Sequence, residues 1–165
     1  MNVQQDIVNK VLNIQTDSPL FQIRQFREKV VTGTQASYDA LFDSALHLPL
    51  SWRYAVAVLS SVLVGIPEFV THYAEQAVKA GVSEADLHAI QEVDIAKVSD
   101  VALAQVLQFT HTLMVQPKEG DKAALLALKT AGMTTADIVA LSQLIGFLSY
   151  QLRLAAGLKA MQQAL

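Results

Sequence analysis

Apolar residues recur at Val3, Ile7, Val11 and Ile14, three to four apart, which predicts a helix over residues 3–15. Thr16-Asp17-Ser18-Pro19 stops it and starts another, with Ser18 as N-cap and Pro19 in the first turn. Phe21, Arg24, Phe26 and Val30 belong to that short second element, which Thr32-Gly33-Thr34 is expected to end. Residues 35–46 read as a third helix with Tyr38, Leu41, Phe42 and Ala45 on one side.

Residues 48–81 then form a helix pair. Residues 52–64 are nearly all apolar, too much so for a helix with one face in water. Gly65 is suited to a left-handed helix cap, and Pro67 to the first position of the next helix. That second helix is amphipathic and places Glu68, His72 and Glu75 on one face.

A repeat follows. Ala80-Gly81-Val82-Ser83-Glu84-Ala85-Asp86-Leu87 is echoed by Ala131-Gly132-Met133-Thr134-Thr135-Ala136-Asp137-Ile138. In each copy a glycine closes one helix, and a Ser or Thr caps the next with an Asp three residues on. Two similar helical hairpins are the expectation. Residues 94–99 link them, residues 100–115 and 122–130 are further helices, and residues 117–120 form a turn. The last helix runs from 135 to about 161. Ile138, Leu141, Ile145, Leu148, Leu152 and Ala155 make a packing seam on it, and Phe147, Tyr150, Leu154 and Leu158 a second apolar strip. No strand pattern is present, so the fold class is all-α, one domain over residues 1–165 with 1–47 as an N-terminal helical extension and 48–165 as core.

Composition narrows the partners. Hydrophobic residues make up 52% and charged residues 16%, more apolar surface than a monomer of 165 residues readily hides, so self-association is expected. The net charge of −3 argues against a nucleic-acid partner. With no cysteine, disulfides, thiolate catalysis and cysteine-ligated metals are excluded. Neither a secretory leader nor a membrane span is read, so the expected location is cytoplasmic.

The run Leu48-Pro49-Leu50 with Arg53, the apolar helix, the junction leading to His72 and the Ala80-Gly81-Val82-Ser83-Glu84 stop resemble the carboxymuconolactone decarboxylase and AhpD-like (alkylhydroperoxidase) superfamily. The closing residues 125–141 and 147–155 resemble its peroxidase-related branch, and the likeness covers residues 41–158. The resemblance implies an AhpD-like helical bundle assembled as a trimer, hexamer or dimer. It also implies a C-x-x-C pair at the start of the second central helix, a His four residues on and a Glu on the helix before. Here the cysteine positions fall on Gly65 and Glu68, the Glu position on Arg53, and His72 alone matches. Thiol-based peroxide reduction does not carry over.

The expected function is therefore that of a cysteine-less member, one that binds a small apolar ligand or partners an active homologue. A competing expectation is a lyase or isomerase that uses His72 and Glu68 as an acid–base pair, with Arg53 beside them. Glu75 extends that face toward a divalent-metal set, but neither a metal nor another cofactor is expected. Two structural readings stand against catalysis. Glu68 suits the positive end of its helix without any reaction, and Arg53 is able to pair with it across the junction. His47 and His88 are expected in solvent, and His111 in the core. Trp52, Tyr54, Phe69, Tyr73 and Tyr150 are either an apolar pocket or plain core.

Overall fold

The computed structural model describes residues 6–164, and among these the chain is all-α, with no strand. The helices are α1 (Ile7–Val11), α2 (Pro19–Gln25), α3 (Glu28–Leu41), α4 (Leu50–Val64), α5 (Pro67–Lys79), α6 (Glu84–Gln91), α7 (Val101–Val115), α8 (Lys122–Thr130) and α9 (Thr135–Ala164). Short 3-10 turns lie at Ile95–Lys97 and Pro117–Glu119. Val3 of the first predicted helix lies outside the described residues.

Helix α4 is the centre of the bundle. Residues 55–61 are fully buried, and α5, α6, α7 and α9 all pack on it. The alanines at 55 and 57 allow close approach. Helix α9 lies alongside with its predicted seam inward: Leu141, Leu148, Leu152 and Ala155 have no exposure, and Ile138 and Ile145 almost none. The second strip is less uniform. Leu158 is buried, Phe147 and Leu154 are half-buried, and Tyr150 is exposed. By length and composition α9 is also long enough to cross a membrane, but its inward face is part of this core.

Two expectations about the N-terminal helices fail. Thr32-Gly33-Thr34 does not break the chain, because α3 runs through it. The Thr32 hydroxyl donates back to the Glu28 carbonyl and the Thr34 hydroxyl to Val30, so both threonines are served within the helix. Gly33 is tolerated at a cost of about 1 kcal/mol. The break falls instead at Phe26 and Arg27, and α3 ends at Leu41 rather than at residue 46. Upstream, the buried Arg24 forks onto both carboxylate oxygens of Asp6 at 3.0 and 2.8 Å and also reaches Asn9, which ties α2 to α1.

The punctuation reads as expected. Ser18 accepts the Phe21 N–H at 3.2 Å, and Gly65, Gly81 and Gly132 all have positive φ, at 78°, 97° and 93°. At the repeated stops, Val82 N–H reaches the Ala77 carbonyl at 3.0 Å and Met133 N–H that of Leu128 at 3.1 Å, closing each end in a Schellman motif. Ser83 and Thr134 then accept the Asp86 and Asp137 N–H groups. The copies differ in their aspartates. Asp137 closes a capping box on Thr134, whereas Asp86 turns to the N–H and hydroxyl of Ser99.

The caps give a direct test. Space for a Cβ is open at Gly81 and Gly132, so Gly81→Ala and Gly132→Ala meet only backbone strain and should each cost about 1–2 kcal/mol in urea denaturation. Gly146, inside α9 with an ordinary φ, should instead gain about 0.5–1 kcal/mol on replacement by Ala. Equal effects at all three sites would contradict the cap assignment.

Candidate functional site

The α4–α5 junction is tight. The N–H groups of Gly65 and Ile66 both return to the Ser61 carbonyl, at 3.0 and 3.1 Å, and Pro67 opens α5. Glu68 therefore sits in the first turn of α5, where helix dipoles favour an anion. Its carboxylate accepts from Lys159 of α9 at 2.7 Å. That bond is the main cause holding the Glu68 carboxyl below its ordinary value of 4.5. Both side chains remain partly in water, so the pair contributes under about 1 kcal/mol.

One turn on, His72 is half-buried against an aromatic cluster. Its ring centroid lies 5.1 Å from that of Tyr73 and 6.4 Å from that of Phe69, edge to face. Its Nε2 lies 3.4 Å from the Tyr38 hydroxyl, at the outer limit of a hydrogen bond. Phe42 stacks between Tyr54 and Tyr73 at 4.7 and 5.7 Å. Burial, followed by the nearby Lys10, lowers the His72 pKa from 6.5; Glu75 opposes the shift and Lys79 adds to it. Burial raises that of Tyr38, with Tyr54 adding to it. At neutral pH the imidazole is thus a free base beside a protonated phenol.

Arg53, the third candidate, is 1% exposed. It donates to three backbone carbonyls, Leu41 at 2.7 Å, Asp43 at 3.0 Å and Leu48 at 2.9 Å. The pairing of Arg53 with Glu68 allowed by the sequence does not form. Arg53 is committed to the end of α3 and the loop after it, and Glu68 to Lys159. Glu68 likewise makes no bond to His72, whose polar neighbour is Tyr38. Among the described residues no three His, Asp or Glu side chains converge as a metal set, and the Glu68, His72 and Glu75 face is no exception.

The other candidates disperse. Phe69 and Tyr73 are core, Trp52 and Tyr54 are partly covered, and Tyr150 lies toward α3, bonded to Thr34. His47 is exposed as expected, yet its Nδ1 lies 2.8 Å from Asp137. His88 is exposed beside Glu92, and His111 is half-exposed rather than core. Sequence reasoning missed three partners: Lys159, Tyr38 as the neighbour of His72, and Gln151, whose buried Oε1 accepts from the Tyr73 hydroxyl at 2.5 Å. Only Gln151 left a signal, as an amide within the apolar run of α9.

No protein-family model matches the chain, and no curated protein does. Solved structures do. An uncharacterized peroxidase-related protein from Silicibacter sp. has a TM-score of 0.75 at 15% identity, over 94% of this chain and 92% of that one. The alkylhydroperoxidase AhpD core of an uncharacterized peroxidase-related protein from Ralstonia eutropha has a TM-score of 0.75 at 16% identity, over 90% and 80%. The fold is AhpD-like, and this chain carries it without a single cysteine.

Two measurements probe the site. Arg53→Met strands three carbonyls and should cost about 3 kcal/mol in urea denaturation; a loss below about 1 kcal/mol would contradict its role. For His72 the folded pKa lies below 6.5, so the unfolded chain takes up the proton first. Stability should therefore fall as pH drops from 6.5 toward the folded value, and His72→Phe should flatten that part of the profile. The Glu68 contribution, from a depressed carboxylate, is present above 4.5 and lost as pH falls through its folded value, a separate and lower window.

Proposed function

We propose that this protein is a redox-inactive relative of the alkylhydroperoxidases, a soluble, cytoplasmic, self-associating chain that binds a small apolar ligand or partners an active homologue. The carrying observation is the occupant of the α5 start. Where the resemblance calls for a reactive thiol there is Glu68, ion-paired with Lys159, and the sequence has no cysteine to supply one. A carboxylate in a helix first turn uses the same positive potential that lowers a thiol pKa, but it has no sulfur to oxidise. The names of the two structural neighbours, both peroxidase-related, support descent from a peroxide-handling fold and not retention of the reaction.

His72 favours a second reading, a lyase or isomerase. A neutral, half-buried imidazole is suited to take a proton, and a Tyr38 phenol kept protonated is suited to donate a hydrogen bond to a developing oxyanion. Glu68, bonded to Lys159, acts in this reading on the potential of the site and not as the orienting carboxylate first expected.

The test is peroxide consumption by the purified chain with a dithiol reductant. The proposal predicts a rate equal to the protein-free blank; turnover that scales with protein concentration would overturn it. The second reading adds a requirement, that a carbon acid substrate turn over and that His72→Gln remove the activity while the fold persists.

A further inference from the structure

A trough runs between α3 and α9, and neither of its two parts is lined by His72 or Tyr38. Two adjoining clefts of about 460 and 350 Å³ share Ser37, Phe147 and Tyr150, a size that suits a small organic ligand. Gly33, Ser37 and Ala40 give α3 a low profile there, and Leu41 and Phe147 supply apolar walls. The Thr34 hydroxyl donates to the Val30 carbonyl at 2.8 Å and lies 3.2 Å from that of Tyr150. Both hydroxyls are thus served within the protein, and the middle of the trough asks for no polar partner. The stretch of α3 that lines it, residues 29–41, is about 18 Å long.

The two helices run antiparallel past this trough, since Thr34 meets Tyr150 while Leu41 shares its cleft with Gln143. Positive charge gathers at one end. Lys29 stands there beside Val30, the one charged side chain among the residues lining either cleft. Arg153 follows Tyr150 by three residues on α9, which puts it at the same end, exposed and turned back to the Ser149 carbonyl at 3.1 Å. The start of α3 lies here too, with no side chain capping it, so the positive pole of that helix adds to the two cations. Glu28 shares this first turn but lines neither cleft. The far end, at Leu41 and Gln143, is lined by no charged residue. An apolar body with a single anionic group matches that distribution. A nucleic acid, with phosphates repeated along its length, does not.

We propose that the α3–α9 trough binds a monocarboxylate with a medium-length alkyl chain, the chain lying along Gly33, Ser37 and Ala40 and the carboxylate held at Lys29 and Arg153. This rests on the small-ligand reading proposed above and adds its place and its head group.

Isothermal titration calorimetry of the full chain with decanoate and with decylammonium tests it, because these probes pair one alkyl chain with opposite charges. Two variants leave the fold alone. Gly33→Leu enters open space in the cleft and gains helix propensity. Lys29→Glu changes an exposed side chain to an acid in a first helical turn, where an acid is favoured. The wild type should bind decanoate at one site, about fivefold tighter than decylammonium. Each methylene removed from the carboxylate should weaken binding about two- to fourfold. Gly33→Leu should weaken decanoate at least about tenfold, and Lys29→Glu should reverse the preference between the probes. Circular dichroism should show both variants folded. Equal affinity of the two probes for the wild type overturns the anionic head group. Decanoate binding unchanged in folded Gly33→Leu overturns the trough and leaves the small-ligand reading standing. No saturable binding of decanoate overturns the site, whereas redox inactivity is decided separately by the peroxide assay.

Discussion

The guanidinium of Arg53 is a full charge with 1% exposure, and backbone carbonyl dipoles are what compensate it. A cation removed from water is costly unless it is well bonded, so its three acceptors are effectively fixed in place. Those acceptors are the last carbonyl of α3 and two from the loop into α4, where the negative end of a helix dipole also favours a cation. Arg53 thus clamps the end of α3 to the start of α4. Burial lowers its pKa, and one of its nitrogens, Nη2, has no partner among the described residues. The position of α3 matters for the site because α3 supplies Tyr38, and Phe42 follows it. These two rings close over His72, Tyr54 and Tyr73. Burial among these rings, with Lys10 nearby, keeps His72 neutral, and Arg53 contributes by holding the end of the helix that carries Tyr38.

On the proposed reading, backbone and chemistry have parted at the junction. Its backbone has features that suit a charged or reactive group: a left-handed glycine stop and a proline start that put position 68 in the first turn of α5. The side chains then neutralise that potential internally, Glu68 answering the helix and Lys159 answering Glu68. Gly65 also shows a limit of matching by spacing. With φ at 78°, that position disfavours any side chain, so a cysteine there would carry about 1–2 kcal/mol of strain. Position 68, inside the first helical turn, carries no such penalty.

What was legible in the sequence was local. Glycine stops, Ser and Thr caps, the proline at 67 and the seam of α9 depend on neighbours within a turn or two, and each lies where its pattern placed it. The α2–α3 boundary was misplaced for the same reason. Gly33 flanked by threonines is a break by propensity, but hydroxyls bonded to the preceding turn and packing of α3 on α9 override it. Partnerships across the fold were not legible. Lys159 meets Glu68 across 91 residues, Gln151 meets Tyr73 across 78, and Asp137 meets His47 across 90. No periodicity encodes those distances. His72 was found because its helix face was readable, whereas Tyr38 beside it depends on how α3 docks.

The central claim of the proposed function is that the head of α5 has a potential suited to a thiol, with Glu68 standing where the resemblance calls for a cysteine. Measuring the thiol pKa of the Glu68→Cys variant tests this most directly, and the absence of any other cysteine makes the reading unambiguous. Thiolate absorbance followed against pH should give a value below about 8.5, rising when Lys159 is also replaced by Met. A thiol that titrates at or above about 8.5, indifferent to Lys159, would contradict the account.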